Sequence, residues 1–132
     1  MQEIYKGRHS VQYSQVALFD AEDTDSYPIF ETGEEAAILG AKGVAVATAN
    51  DREIEIVAYQ GETEPATSGF HILSGEIQVG ALGLIVGNET TADTAQISYP
   101  SGKTAVSVYV DSQSPSEVTS VVFVLDSLEK QD

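Results

Sequence analysis

The side chains in this sequence with most chemical potential are carboxylates. Between Asp20 and Glu35 there are seven acids and no base: Asp20, Glu22, Asp23, Asp25, Glu31, Glu34 and Glu35. The run Asp20-x-Glu22-Asp23-x-Asp25 offers hard oxygen donors of the kind calcium uses. It lacks the central glycine and the terminal bidentate glutamate of an EF-hand loop, so a solvated acidic loop is the favoured reading and no metal is assigned. A second pair, Glu53 and Glu55, alternates with Ile54 and Ile56. On a strand the two would project from one face about 6.6 Å apart. A row of carboxylates at that spacing could occupy a groove built for phosphates, since duplex DNA presents one charge per roughly 1.7 Å of axis. The plain alternative is the wet face of a half-buried strand.

Other chemistry finds little support. The two histidines are His9 and His71, and His71 lies in the apolar run Phe70-His71-Ile72-Leu73. A hydrogen-bonded strand residue is the favoured reading there, although the residue type permits catalysis. No Gly-x-Ser-x-Gly elbow, P-loop or Gly-x-Gly-x-x-Gly motif occurs, so neither an activated serine nor a phosphate cradle is expected. With cysteine absent, thiolate zinc sites and disulfide scaffolds are excluded. Tryptophan is also absent and the tyrosines are dispersed, which weakens a sugar-binding aromatic platform. The expectation is a protein without enzymatic activity and without a cofactor.

Charge is the unusual feature of the composition: 21 acids against 6 bases in 132 residues, a formal net charge of −15. Such a surface repels phosphate backbones and anionic lipid, which argues against direct nucleic-acid or membrane binding. It attracts a basic partner and speeds that association more than it fixes the final affinity. Solubility, or adaptation to high salt, accounts for the same charge without a partner. Hydrophobic residues make up 42% of the chain, enough for a folded core. The longest apolar runs, 81–86 and 121–125, are too short to span a bilayer, and the N-terminus lacks the apolar stretch of a secretory signal. A cytoplasmic location is expected.

The elements that must position these acids read as strands. Residues 1–8 suggest a loose leader, 9–128 a β-sandwich domain and 129–132 a tail. A strand over 9–19 is apolar on both faces in its second half, which predicts cover on both sides there. Tyr27–Phe30 could form an edge strand, since Pro28 bars it from the centre of a sheet. Thr32-Gly33-Glu34-Glu35 fits a capping box, and a short helix is predicted over about 33–39. From Gly43 the pattern becomes strands at short intervals: 43–49, 53–59, 67–73, 76–86, 95–99, 103–110 and 118–125. Ser74-Gly75 and Pro100-Ser101-Gly102 suggest two hairpins. Gly80, Gly83 and Gly87 point to bulges or close backbone approach. The expected architecture is an all-β antiparallel sandwich of about eight strands with one short helix.

The order of these motifs resembles the competence protein J family, the DNA-entry nuclease inhibitors. Tyr13-Ser14-Gln15-Val16-Ala17-Leu18-Phe19-Asp20 resembles the family's aromatic–polar–Gln strand, and Pro28-Ile29, the acidic helix and Gly40-x-x-Gly43 with 44–48 follow in order. Gly69-Phe70-His71-Ile72 with Ile77-x-Val79 is similar to the central hairpin, Ile97–Gly102 to the strand–proline–glycine turn, and 121–126 to the closing strand. Thr32 stands where the family pattern has tryptophan. The resemblance covers roughly 9–128 and implies a cytoplasmic protein that binds and inhibits a competence-associated DNA-degrading nuclease.

Residues and resemblance together suggest an acidic, immunity-type inhibitor that covers the DNA-binding cleft of a basic nuclease. Asp20, Glu22, Asp23, Asp25, Glu31, Glu34 and Glu35 would form the primary patch, and Glu53 and Glu55 a second. The competing readings are a C2-like or carbohydrate-binding sandwich with calcium in the Asp20–Asp25 loop, and an acidic structural or assembly protein.

Overall fold

The computed structural model describes residues 2–11, 14–23, 36–50, 52–61, 69–88 and 93–127. They form ten strands: β1 Gln2–Val11, β2 Gln15–Asp20, β3 Ala37–Leu39, β4 Gly43–Ala47, β5 Arg52–Gln60, β6 Phe70–Val79, β7 Leu84–Asn88, β8 Asp93–Ile97, β9 Gly102–Val110 and β10 Ser120–Ser127. One five-stranded sheet has the order β1-β5-β10-β9-β6 and the other β3-β4-β2-β7-β8. Alternation dictates the layering. Along β5, Ile54, Ile56 and Ala58 are fully buried while Glu53 is exposed and Glu55 half-buried, the two faces expected from period two. The inward residues of both sheets, among them Val16, Leu18, Ile54, Ile56, Phe123 and Leu125, form one core between them. Each such side chain contributes about 1.5–3 kcal/mol on burial.

Strand β2 is buried on both faces, as its sequence predicts. Val16 and Leu18 enter the main core, while Ala17 and Phe19 join Ala45 in a second buried cluster on the other face, with Ile38 and Ile85 beside it. Its neighbour β4, Gly-Val-Ala-Val-Ala, is buried along nearly its whole length.

Several sequence expectations change. Residues 9–19 are not one strand: His9, Ser10 and Val11 end β1 in one sheet and Gln15 begins β2 in the other. Ser14, between them, takes a left-handed backbone at φ 57°, and its N–H donates to Asn50 Oδ1 at 3.3 Å. Residues 2–8, read as a loose leader, belong to β1 and pair with β5. The short helix is corrected in its second half, where Ala37–Leu39 is strand β3 paired with β4; residues 33–35 lie outside the described residues, as does Tyr27–Phe30. Alternating partners on a buried sheet outweigh helix propensity over so short a run. Ser74-Gly75 is not a turn but the middle of β6, and the reversal comes at Gly80–Gly83. Pro100–Gly102 does not close a hairpin, because β8 and β9 lie in different sheets. Nor is the sandwich wholly antiparallel. Strand β10 runs parallel to β5, which is possible because β6–β9 supply the long crossover such a pair requires.

Both flanks where the sheets meet are closed. On one side Gln78 N–H donates to the Ala41 carbonyl at 2.9 Å, and the Leu39 side chain lies over Gly75. On the other, β1 is fastened to β8. Asp93 Oδ2 accepts the Ser10 N–H at 2.7 Å. His9, only 2% exposed, places Nδ1 at 2.9 Å from the Asp93 carbonyl and at 3.1 Å from its carboxylate. A carbonyl can only accept, so Nδ1 carries a proton toward Asp93, and Nε2 is hydrogen-bonded to the Tyr5 hydroxyl. Burial, and then the negative charge of Asp93, raise the pKa of that hydroxyl, keeping it protonated. Gly87, at φ 135°, makes the junction possible, since a Cβ there would press into the Asp93 carbonyl and stand 2.8 Å from His9 Nδ1.

Asp111 organises the connection from β9 to β10. Its carboxylate accepts the Thr119 N–H at 2.9 Å and the Thr119 hydroxyl at 2.7 Å. Partial burial works against the charged form, but these bonds, with backbone donors, overcome it and hold the pKa below its ordinary value. A depressed carboxylate adds stability that is fully present above the unfolded-state pKa, about 3.9, and is lost as pH falls through the lower folded value. Asp111→Ala is therefore expected to unfold at lower urea than wild type at pH 7. The deficit, roughly 0.5–1 kcal/mol given its solvent exposure, should shrink below about pH 4. Urea midpoints of both proteins between pH 2.5 and 7 check this; a gap that does not change with pH would assign the effect to something other than the carboxylate.

Candidate functional site

The acids singled out in the sequence divide into three groups. Asp25, Glu31, Glu34 and Glu35 lie outside the described residues. Asp20, Glu22 and Asp23 sit together where β2 ends. Glu53 and Glu55 lie on the outer face of the other sheet, near the start of β5. The register separates these last two groups. Arg52 pairs with Val11, beside the start of β2, whereas β2 delivers Asp20 to the far end. The structure thus does not join Glu53 and Glu55 to Glu22 and Asp23 in one surface. Glu55 also faces Arg8 at 4.0 Å, and Glu53 is exposed.

Within the first group Asp20 differs from its neighbours. It is 4% exposed, and its Oδ1 accepts the Glu22 N–H at 3.1 Å and the Gly80 N–H at 3.2 Å. Its own N–H donates to the Lys42 carbonyl at 2.9 Å. Asp20 thus ties three segments together: the start of the β2–β3 connection, the β3–β4 turn and the β6–β7 turn. It organises this end of the sandwich, with its Oδ1 turned onto backbone donors. Glu22 is exposed, with its carboxylate folded over Gly80. Asp23 is half-buried and its Oδ2 meets Lys42 Nζ at 3.4 Å.

Sequence reasoning passed over the β6–β7 turn that completes this end. Ala21 N–H donates to the Gly83 carbonyl at 3.0 Å, and Gly83 N–H to the Gly80 carbonyl at 3.3 Å. Gln96 Nε2 donates to the Leu82 carbonyl at 2.7 Å. Gly83 has φ 81°, and a Cβ there would run into the Ile97 carbonyl, so only glycine fits without strain. The sequence signal was the Gly80-x-x-Gly83 spacing, which marked close approach without indicating what approached.

The arrangement can present negative charge from a rigid scaffold. Among the described residues no group of three His, Asp or Glu side chains is placed to hold a metal ion. Of the oxygens in the calcium reading, Asp20 Oδ1 accepts two backbone N–H groups, and Asp25 lies outside the described residues. His71, its ring tilted at 37° against that of Tyr109 with the centroids 5.0 Å apart, bonds Ser74 Oγ through Nε2 at 2.6 Å. It is a hydrogen-bonded strand residue. Among the described residues no helix is long and apolar enough to cross a membrane.

No family model matches the chain, and neither does any curated protein. Two solved structures resemble it along nearly its whole length. One is the crocagin biosynthetic gene J product, at a TM-score of 0.56 and 12% identity, over 95% of this chain and 99% of that one. The other is the crystal structure of ComJ, inhibitor of the DNA degrading activity of NucA, from Bacillus subtilis, at a TM-score of 0.71 and 12% identity, over 96% of this chain and 98% of that one. The chain therefore has the fold of ComJ along nearly its whole length, with little of its sequence.

Proposed function

We propose that this protein is an inhibitor of a DNA-degrading nuclease, and that it acts by laying an acidic surface against the enzyme's basic DNA-binding cleft. The observation that carries the reading is the likeness to ComJ over 96% of the chain, which the sequence motifs and the net charge of −15 independently support. Fold alone does not transfer function, and crocagin biosynthetic gene J shares this architecture at a lower TM-score of 0.56. The charge is what favours the nuclease. A strongly acidic surface is poorly suited to nucleic acid and well suited to a protein that binds it. No reaction is assigned to the protein itself.

The test is a plasmid-degradation assay with purified NucA. Stoichiometric addition of this protein at low salt is expected to abolish degradation. Association should slow by roughly tenfold or more between 50 and 300 mM salt, since exposed charges are screened beyond about one Debye length. Full nuclease activity at a tenfold excess of the protein in 50 mM salt would refute the reading for this class of enzyme.

A further inference from the structure

We infer that Leu82, at the tip of the β6–β7 turn, is the apolar anchor of the contact with a basic protein partner; the inference rests on the inhibitor reading above. A lone exposed leucine is ordinary on a protein surface. Leu82 is distinguished by its setting. It is 56% exposed, against 41% for Leu39 and for Phe70, the other large apolar residues exposed among those described. Leu39 is also engaged, lying over Gly75. Leu82 instead stands on a turn that is tied on every side. Gly83 bonds back to Gly80 at 3.3 Å and accepts from Ala21 at 3.0 Å, Gln96 holds the Leu82 carbonyl at 2.7 Å, and buried Asp20 holds Gly80 at 3.2 Å. Its backbone is fixed before any encounter, so little entropy remains to be lost on docking.

The charge around it names the partner. The Glu22 carboxylate lies over Gly80, two residues from Leu82, and Asp23 follows with Lys42 at 3.4 Å. With Asp23 paired to Lys42, Glu22 carries the net charge beside the turn. An apolar projection flanked by an acid fits a small apolar depression flanked by base, the arrangement of an interface with a dry centre and a charged edge. A second copy of this chain is a poor occupant, because each copy carries a net charge of −15 and the same acids would face each other. The rim and the anchor then have separate kinetic roles. Long-range charge governs the rate of association, and the desolvated leucine governs the rate of escape.

The experiment measures both rate constants against NucA for wild type, Leu82→Ser, Leu39→Ser and the double variant Glu22→Lys/Asp23→Lys, after thermal melts establish that each folds. Leu82→Ser is expected to speed dissociation at least tenfold while leaving association within about twofold. Leu39→Ser should change neither. The double charge reversal should slow association and lose its effect at high salt. Tight inhibition by wild type with unchanged dissociation of Leu82→Ser would overturn the anchor and leave the inhibitor reading standing. Failure of wild type to bind would overturn both. A concentration-dependent dimer of wild type abolished by Leu82→Ser would also overturn the inference, by assigning the leucine to self-association.

Discussion

Replacing His9 with alanine is expected to lower the stability of the fold by about 2–4 kcal/mol, measured as the shift in urea midpoint at constant m-value. Three losses add up. A side chain only 2% exposed disappears from the seam between the sheets, and the surrounding structure can close the gap only in part. The Asp93 carbonyl loses the Nδ1–H donor at 2.9 Å. The Tyr5 hydroxyl, which reaches across Gly7 to His9, loses its partner. Asp93→Ala removes the carboxylate but leaves the carbonyl, so it should cost less, about 1–2 kcal/mol, mainly through the Ser10 N–H at 2.7 Å. Because the two residues share one network, the double variant should cost less than the sum of the singles. Gly87→Ala strains the same junction from the other side, through its positive φ and the Asp93 carbonyl. A His9→Ala protein within 0.5 kcal/mol of wild type would mean that the sheets are held by their apolar faces alone and that this seam adds nothing.

This seam was hidden in the sequence for a definite reason. His9 and Asp93 are 84 residues apart, and nothing in either local pattern indicates that the chain changes sheets after Val11. Alternation tells which residues face a core, but says little about which strands share a sheet. That is why Ile54, Ile56 and Ala58 fall on the buried face as expected while the pattern over 9–19 reads as a single strand. The same limit explains the turns. Ser74-Gly75 has turn chemistry, yet β6 runs straight through it because Ser107 and Val106 of β9 pair opposite, and tertiary pairing outweighs local preference. Gly80, Gly83 and Gly87 were legible as places of close approach, since that is a property of the residue itself. The helix expectation failed where its apolar residues, Ala37–Leu39, found a partner in β4.

The acidic site was legible as charge and not as geometry. Composition showed that acids dominate the surface; it could not show that Asp20 points inward while Glu22 is exposed. Adjacent acids in one loop look equivalent in a sequence, and the distinction arises only when Gly80, 60 positions away, brings its N–H to one of them. Glu53 and Glu55 show the converse. They share a strand face as predicted, but the register places that face away from the end where β2 delivers the other acids.

That inequality among neighbouring acids yields the second large effect. Asp20→Ala should cost about 2–4 kcal/mol. Two backbone N–H groups, of Glu22 at 3.1 Å and Gly80 at 3.2 Å, lose a charged acceptor in a place only 4% exposed, and hydrogen bonds to ionised groups are worth more than neutral ones. Asp20→Asn keeps an acceptor oxygen in place, so it should cost about half as much or less. Glu22→Ala and Asp23→Ala remove side chains from the solvent side and should stay within about 0.5 kcal/mol of wild type. The functional consequences invert this order. If inhibition depends on the acidic rim and the Leu82 turn, lysines at Glu22 and Asp23 should weaken binding in a salt-dependent way with the fold intact. Asp20→Asn should weaken it only as far as the turn loosens, with no change in salt dependence. Binding measured alongside thermal melts at two salt concentrations separates the two. Should Asp20→Asn instead reproduce the salt dependence of the lysine variants at wild-type stability, Asp20 would have to be counted among the groups that meet the partner, and the placement of its carboxylate as an internal tie would be wrong.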